Sequence, residues 1–246
     1  MEGKKYSSLH NVLYYESEKT HRMTLPMLLN VLIQVSGEQS TELGLSEEKM
    51  AEMGYAWIVL QHEFKIKRMP RTNETIEVET HALQYNKFFC YRKFNVTGEN
   101  GEHLVDFLMV FAVLDLDKRK MIRIPDEVVS PYEAPFVKRP LQIKRPEELA
   151  EAEATSMTYQ VRYFDIDANN HVNNSKYIEW MFDVLGSDFL TNHEVKSGNI
   201  KFEKEVFYGQ RVNAMASIKK EGGKTGSAHR IQTEEGTHCI ASFTWE

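Results

Sequence analysis

Between Asp165 and Asn174 the chain places two aspartates, four asparagines and one histidine within ten residues. The run separates a strand-like segment, 157–163, from an apolar helix-like segment, 175–185. Asparagine and aspartate tolerate turn geometry and cap helices, so one reading is an elaborate strand–turn–helix N-cap. Three features point further, to acid–base chemistry at a carbonyl. His171 stands at the helix entrance, beside backbone N–H groups that have no intrahelical acceptor. Those groups, with the positive end of the helix dipole, suit a developing oxyanion. Asp167, Asn169 and His171 alternate, and an extended backbone would turn all three the same way.

Other chemistries fit less well. Asp165, Asp167 and Asn169 match positions 1, 3 and 5 of a calcium loop, but Asn170 replaces the required glycine and Lys176 the closing glutamate. No H-E-x-x-H or paired cysteines suggest zinc. A G-x-S-x-G elbow, a Walker loop and a dinucleotide fingerprint are all missing from the sequence. No metal or cofactor is expected.

The elements that must position this run come in two similar sets. In the first half a strand candidate at 14–18 precedes an apolar helix at 25–35. Ser46 can cap a second short helix, with Glu47 and Glu48 in its first turn and Gly54 closing it. Strand-like runs follow at 57–68, 75–83, 88–96 and 103–114, and Asn100-Gly101 reads as a two-residue hairpin between the last two. The second half repeats the order, with strands at 157–163, 199–206, 212–219, 227–234 and 237–245 around the helix at 175–185. A shift of about 136 residues sets Phe64, Ile66 and Ile76 on Ile200, Phe202 and Val212. A nearly constant offset over four strands is what duplication produces. One long helix with an antiparallel meander, twice, predicts an α+β architecture in which each sheet wraps a central helix.

Composition sets the outer limits. Thirty basic against 36 acidic residues give a net charge of -6, which argues against a nucleic-acid binder. Two cysteines in 246 residues make no disulfide framework and fit a reducing compartment. The longest strongly apolar stretch, around 107–114, falls far short of the ~20 residues of a spanning helix. The first eight residues lead into polar and aromatic positions with no apolar signal core, so a cytoplasmic protein is expected. Five of the seven prolines fall between Pro125 and Pro146, a stretch that cannot be helix interior or central strand. The expected organisation is therefore a first domain at 1–130, a proline-rich basic linker at 131–150 and a second domain at 151–246.

With the run from Asp165 to Asn174 followed by Lys176-Tyr177, the chain resembles the acyl-ACP thioesterases, the plant fatty-acyl enzymes and their bacterial relatives. Trp57 ahead of the first long strand and the strand from Ile200 to Val206 extend that resemblance over most of the chain. It implies two hotdog folds in tandem and hydrolysis of a fatty acyl-ACP thioester, which releases free fatty acid and ends chain elongation. The D-x-N-x-H-x-N-x-x-Y pattern also occurs in single-hotdog acyl-CoA thioesterases, so an acyl-CoA substrate is the nearest rival. A non-catalytic acyl-binding protein is the rival from another class.

Carried over residue by residue, the resemblance places the catalytic Asp, Asn and His on Asp167, Asn169 and His171, and the catalytic Glu on Glu205. By its residues alone, Glu205 beside Lys204 reads as a solvated strand carboxylate. Plant members have a cysteine directly after that Glu; here the position is Val206. Cys90 and Cys239 lie in strand-like apolar runs and read as packing residues. The mechanism expected is direct attack by water. Glu205 and His171 would bind and deprotonate it, Asn169 would hold the water or carbonyl, and Asp167 would orient its neighbours. Backbone N–H groups near Val172 to Asn174 would polarise the thioester oxygen. The first half lacks a D-x-N-x-H run, and the resemblance implies that it shapes the acyl-chain pocket. From Lys118 to Arg145 there are eight basic residues against three acidic, a strip that could steer an acidic acyl carrier protein. Two fused hotdogs leave monomer and homodimer both open.

Overall fold

The structure is a computed structural model and describes residues 3–246. The chain divides into two compact units, Met1–Ile143 and Lys144–Glu246.

In unit 1 the strands are β1 (Lys5–Asn11), β2 (Tyr55–Ile66), β3 (Thr75–Tyr85), β4 (Cys90–Thr97), β5 (His103–Asp115) and the short β6 (Lys120–Ile122). They form an antiparallel sheet in the order β1-β3-β4-β5-β2, with β6 paired to β5. Helix α1 (Leu25–Glu42) starts where the Thr24 hydroxyl accepts the Met27 N–H, with Pro26 in the first turn. It buries Leu25, Leu28, Leu29, Leu32 and Val35, then continues for two turns past the expected end at 35. Buried Ser36 and Gln39 keep the same stripe facing inward there. Short helices α2 (Glu47–Glu52) and α3 (Asp126–Val129) complete the unit. Ser46 caps α2 as expected.

Unit 2 holds β7 (Thr155–Gln160), helices α4 (Asn174–Asp183) and α5 (Ser187–Asn192), β8 (Val195–Phe202), β9 (Arg211–Glu221), β10 (Lys224–Thr233) and β11 (Gly236–Trp245). The order of its antiparallel sheet is β7-β9-β10-β11-β8. Replacing each strand of unit 1 by its counterpart reproduces that order strand for strand, which is the duplication expected from the offset. Each unit is the α+β hotdog arrangement, one helix laid on a five-stranded sheet.

Several local expectations are corrected. The segment 14–18 is not a strand: Tyr14–Glu16 is one turn of 3-10 helix, and the strand lies earlier, at β1. In β1 only alternate, mostly polar residues are half-buried, so the apolar signal of a strand is weak there. Likewise β7 stops at Gln160, and Tyr163–Asp165 makes the matching 3-10 turn. The Asn100-Gly101 hairpin has a three-residue turn, closed by the Gly98 N–H on the Glu102 carbonyl at 2.7 Å, with φ of 61° and 75° at Asn100 and Gly101. Gly222 and Gly223 make a two-residue turn between β9 and β10 with both φ positive, the geometry that favours glycine. Finally, β8 ends at Phe202, so Glu205 sits in the loop beyond the strand and not on it.

The proline-rich stretch is tied down at both ends. Its start pairs with unit 1, where Tyr85 N–H donates to the Pro135 carbonyl at 3.0 Å and Val137 N–H to the Tyr85 carbonyl at 2.8 Å. Its end belongs to unit 2, where the Asn199 side chain donates to the Lys144 carbonyl and Ala150 N–H to Ser217 Oγ.

Candidate active site

The polar run of unit 2 is a tight turn, not the extended segment its alternation suggested. Ile166 and Val172 face each other across an antiparallel bridge, and the Asp167 N–H donates to the His171 carbonyl at 3.0 Å. Asn170 N–H closes the turn on the Asp167 carbonyl at 3.0 Å, with Asn170 at φ 66°, a left-handed position that asparagine tolerates. Two further asparagines of the run also have local tasks. Asn169 donates its backbone N–H to Asp167 Oδ1 at 2.9 Å, and Asn173 caps α4 by accepting the Ser175 N–H at 2.9 Å. Asp165, almost fully buried, braces the base of the turn. Its carboxylate accepts the Arg162 N–H and side chain, and its carbonyl accepts the Asn173 N–H.

This geometry brings three of the four expected residues together. His171 Nδ1 lies 3.9 Å from Asp167 Oδ1, and His171 Nε2 lies 3.8 Å from Glu205 Oε1. All three side chains are partly buried, at 22%, 22% and 34% exposure, shielded yet reachable by a substrate. Asn169 stands exposed at the tip of the turn and joins the group through its backbone bond to Asp167. Glu205 arrives because Val172 N–H donates to the Val206 carbonyl at 2.8 Å, stitching the 203–206 loop to the end of the turn.

The histidine tautomer follows from its contacts. His171 Nδ1 lies 3.3 Å from the Val172 carbonyl oxygen, which can only accept, so Nδ1 carries the hydrogen. In the neutral ring Nε2 is then a proton acceptor facing a second acceptor, the Glu205 carboxylate. A water with two O–H donors fits between two such atoms.

The expected oxyanion donors need correction. Val172 N–H is taken by Val206, and Asn173 N–H donates to the Asp165 carbonyl at 2.9 Å. Of the three positions that leaves Asn174, the first residue of α4, whose N–H, like the others of the first turn, has no intrahelical acceptor.

Both cysteines are buried. Burial pushes the Cys90 thiol up to about 11 and the Cys239 thiol well above its ordinary value, so both stay protonated near neutrality. Cys239 lies nearer the site than its place in the meander suggested, alongside Tyr177 and Glu203. Val206 is fully buried and has no chemistry to offer. Among the described residues no group of three or more His, Cys, Asp or Glu is arranged to hold a metal.

Sequence reasoning gave no role to two side chains that touch the Glu205 loop. Tyr177, within the resemblance segment, hydrogen-bonds the Val206 backbone, and burial raises its phenol pKa. His238 donates from Nδ1 to the Glu205 carbonyl at 2.9 Å. Only the strand register of unit 2 reveals the second contact, so no sequence signal was available for it.

Comparison with known proteins shows the family and the fold. Residues 3–132 match the acyl-ACP thioesterase N-terminal domain and residues 148–246 the C-terminal domain. A palmitoyl-acyl carrier protein thioesterase of Cuphea hookeriana is 26% identical over 86% of this chain and 53% of its own length. The chain spans little more than half the length of that curated relative and of an acyl-ACP hydrolase of Cuphea viscosissima, of which it covers 58%. A Lactobacillus plantarum structure described as an oleoyl thioesterase superposes with a TM-score of 0.96 at 33% identity, covering 99% of this chain and 96% of that one. The 12:0-ACP thioesterase of Umbellularia californica shares the fold, with a TM-score of 0.85 at 19% identity over 98% and 97% of the two chains.

Proposed function

The chain belongs to the acyl-ACP thioesterase family, and from that premise we propose that it hydrolyses the thioester of a fatty acyl chain carried on acyl carrier protein. The observation that supports this most is the pair of proton acceptors, His171 Nε2 and Glu205 Oε1, 3.8 Å apart beside the start of α4. That spacing is too long for a direct hydrogen bond and suits a shared water.

In the proposed reaction the water oxygen attacks the thioester carbonyl while its proton passes to the His171–Glu205 pair. The carbonyl oxygen takes up negative charge, and the Asn174 N–H at the positive end of α4 supports it. The tetrahedral adduct collapses, the C–S bond breaks, and the captured proton goes to the departing thiolate. Fatty acid and carrier thiol are the products. Asp167, 3.9 Å from Nδ1, favours the imidazolium that forms in between. Asn169 steadies Asp167 from the turn. No acyl-enzyme is required.

The rest of the chain is assigned supporting tasks. Unit 1 shapes the acyl-chain pocket, with the apolar face of α1 and the buried Phe107 and Met109 of β5 as its material. Residues 131–150 form the connecting segment. The exposed basic residues of unit 1, from Lys118 to Arg123 and at Lys138 and Arg139, attract the acidic carrier protein. Among the described residues no helix is long and apolar enough to cross a membrane.

The test is hydrolysis of a panel of acyl-ACP and acyl-CoA substrates by the purified chain. Faster turnover of acyl-ACP supports the proposal. Turnover of acyl-CoA alone overturns the choice of carrier, and turnover of neither overturns the reaction.

A further inference from the structure

We infer that His238 is a positioning residue for this hydrolysis, holding the backbone at Glu205 so that its carboxylate faces His171. The inference rests on the reading of His171 and Glu205 as the pair that activates water.

Residues 203–206 lie beyond the end of β8, outside the sheet ladder, so other bonds must fix their path. Fully buried on β11, His238 supplies three of them. Its carbonyl accepts the N–H groups of Glu203 at 2.8 Å and Lys204 at 3.2 Å, and its Nδ1 meets the Glu205 carbonyl at 2.9 Å. That carbonyl can only accept, so Nδ1 carries the hydrogen. Nε2 lies 2.8 Å from Thr233 Oγ1, which itself accepts the Glu235 N–H at 3.1 Å and can turn its own hydrogen to Nε2. The ring is satisfied on both nitrogens and fixed in one orientation. One residue further on, Tyr177 grips the Val206 backbone.

Unit 1 provides an internal control. The loop after β2 follows the same path, with Lys67 N–H on the Leu104 carbonyl at 2.8 Å and Met23 N–H on the Pro70 carbonyl at 2.8 Å. These bonds match Glu203 to His238 and Val172 to Val206, so Leu104 occupies the place of His238 and Met69 that of Glu205. Leu28 stands four residues after its helix cap, as Tyr177 does. The same loop therefore closes in unit 1 with two leucines and a donor of its own, the Arg68 guanidinium 3.4 Å from the Met69 carbonyl, where unit 2 brings in an imidazole and a phenol from neighbouring elements. The path of the loop does not demand an imidazole or a phenol. They occur in the half that carries a glutamate to aim.

The test compares turnover of acyl-ACP by His238→Leu, which copies unit 1, and by His238→Asn, whose amide N–H can reach where Nδ1 does. His238→Leu should lower kcat about 10-fold or more with KM within about 2-fold, the signature of misplaced reacting groups. His238→Asn should recover kcat to within about 3-fold of the parent. A wild-type kcat in His238→Leu, or an Asn variant as impaired as the Leu variant, overturns the inference. If the Leu variant does not fold, His238→Gln serves, because its amide extends to the Nε2 side. Gln must then be slower than Asn, and equal rates overturn the inference. Glu205→Gln is measured in parallel. If it keeps full turnover, the reading of the base fails; if it is inactive while His238→Leu is not, only the positioning role fails.

Discussion

Two turns of the molecule have the same backbone and different side chains. In unit 1, Glu16 accepts the Leu13 N–H at 2.8 Å, Thr24 N–H reaches the Glu16 carbonyl at 2.8 Å, and Glu18 N–H the Arg22 carbonyl at 2.9 Å. His21 closes the turn on the Glu18 carbonyl at 2.9 Å with φ 62°. In unit 2 the same bonds join Asp165 to Arg162, Asn173 to Asp165, Asp167 to His171 and Asn170 to Asp167, with Asn170 at φ 66°. Chemistry separates them. Arg22 occupies the place of His171, stays charged, and is held 3.4 Å from Glu18 Oε1. Met69, buried, occupies the place of Glu205. A turn that presents a helix N-terminus is therefore only a frame. Proton transfer at neutral pH needs an imidazole and a carboxylate mounted in it, and one of the two frames has them.

The largest effect should come from breaking that asymmetry. His171→Ala and Glu205→Ala should each lower kcat at least ~100-fold, the usual worth of a positioned acid or base. The matched changes Arg22→Ala and Met69→Ala should leave kcat on a short acyl chain within about 3-fold. Steady-state assays of all four, with folding checked by circular dichroism, compare the two turns directly. Equal losses in both units would show that each frame takes part.

A smaller effect is expected on the carrier side. Reversing Lys138 and Arg139 to Glu should raise KM for acyl-ACP several-fold and flatten its salt dependence, with little change for a short acyl-CoA. Equal changes for both substrates would remove docking from the explanation. Smaller still is the effect of the thiols. The double variant Cys90→Ser, Cys239→Ala should keep kcat within about 3-fold, because neither thiol is ionised near neutrality. Loss of turnover in a folded double variant would return a cysteine to the mechanism.

The two units should also respond alike to acid. His62 in unit 1 and His229 in unit 2 are fully buried, and burial lowers each imidazole pKa to about 3. Unfolded histidine titrates near 6.5, so between about pH 6.5 and 3 the unfolded chain binds more protons than the folded one. Stability is thus full above about pH 6.5 and falls as pH drops through that window. Urea midpoints at pH 7 and pH 5.5 should show the fall, and His229→Gln should make it shallower. A flat profile over that range would contradict the burial of these rings.

Much of this was legible in the sequence because duplication doubles every weak signal. Four strands per half, both central helices and the offset of the meander follow from period-two runs and caps. β1 escaped because an edge strand of polar residues shows little apolar alternation. The chemistry was less legible. His171 and Asp167 stand out by type and spacing, but Glu205 beside Lys204 resembles any solvated carboxylate until the loop after β8 turns it toward His171. The turn itself defeated the alternation argument, because Asn170 takes a left-handed conformation that an extended reading does not contain. Val172 and Asn173 also look like free helix-entrance donors in sequence, and both are taken by partners distant in the chain.

The central claim is that water, activated by His171 and Glu205, attacks the thioester without a covalent intermediate. The direct measurement is single-turnover hydrolysis of acyl-ACP in H2 18O, with enzyme in excess, followed by mass analysis of the fatty acid and of the Glu205-containing peptide. One heavy oxygen in the fatty acid and none in the peptide is the predicted result. Heavy oxygen in the Glu205 carboxylate, or an acyl group trapped on any side chain, would contradict it.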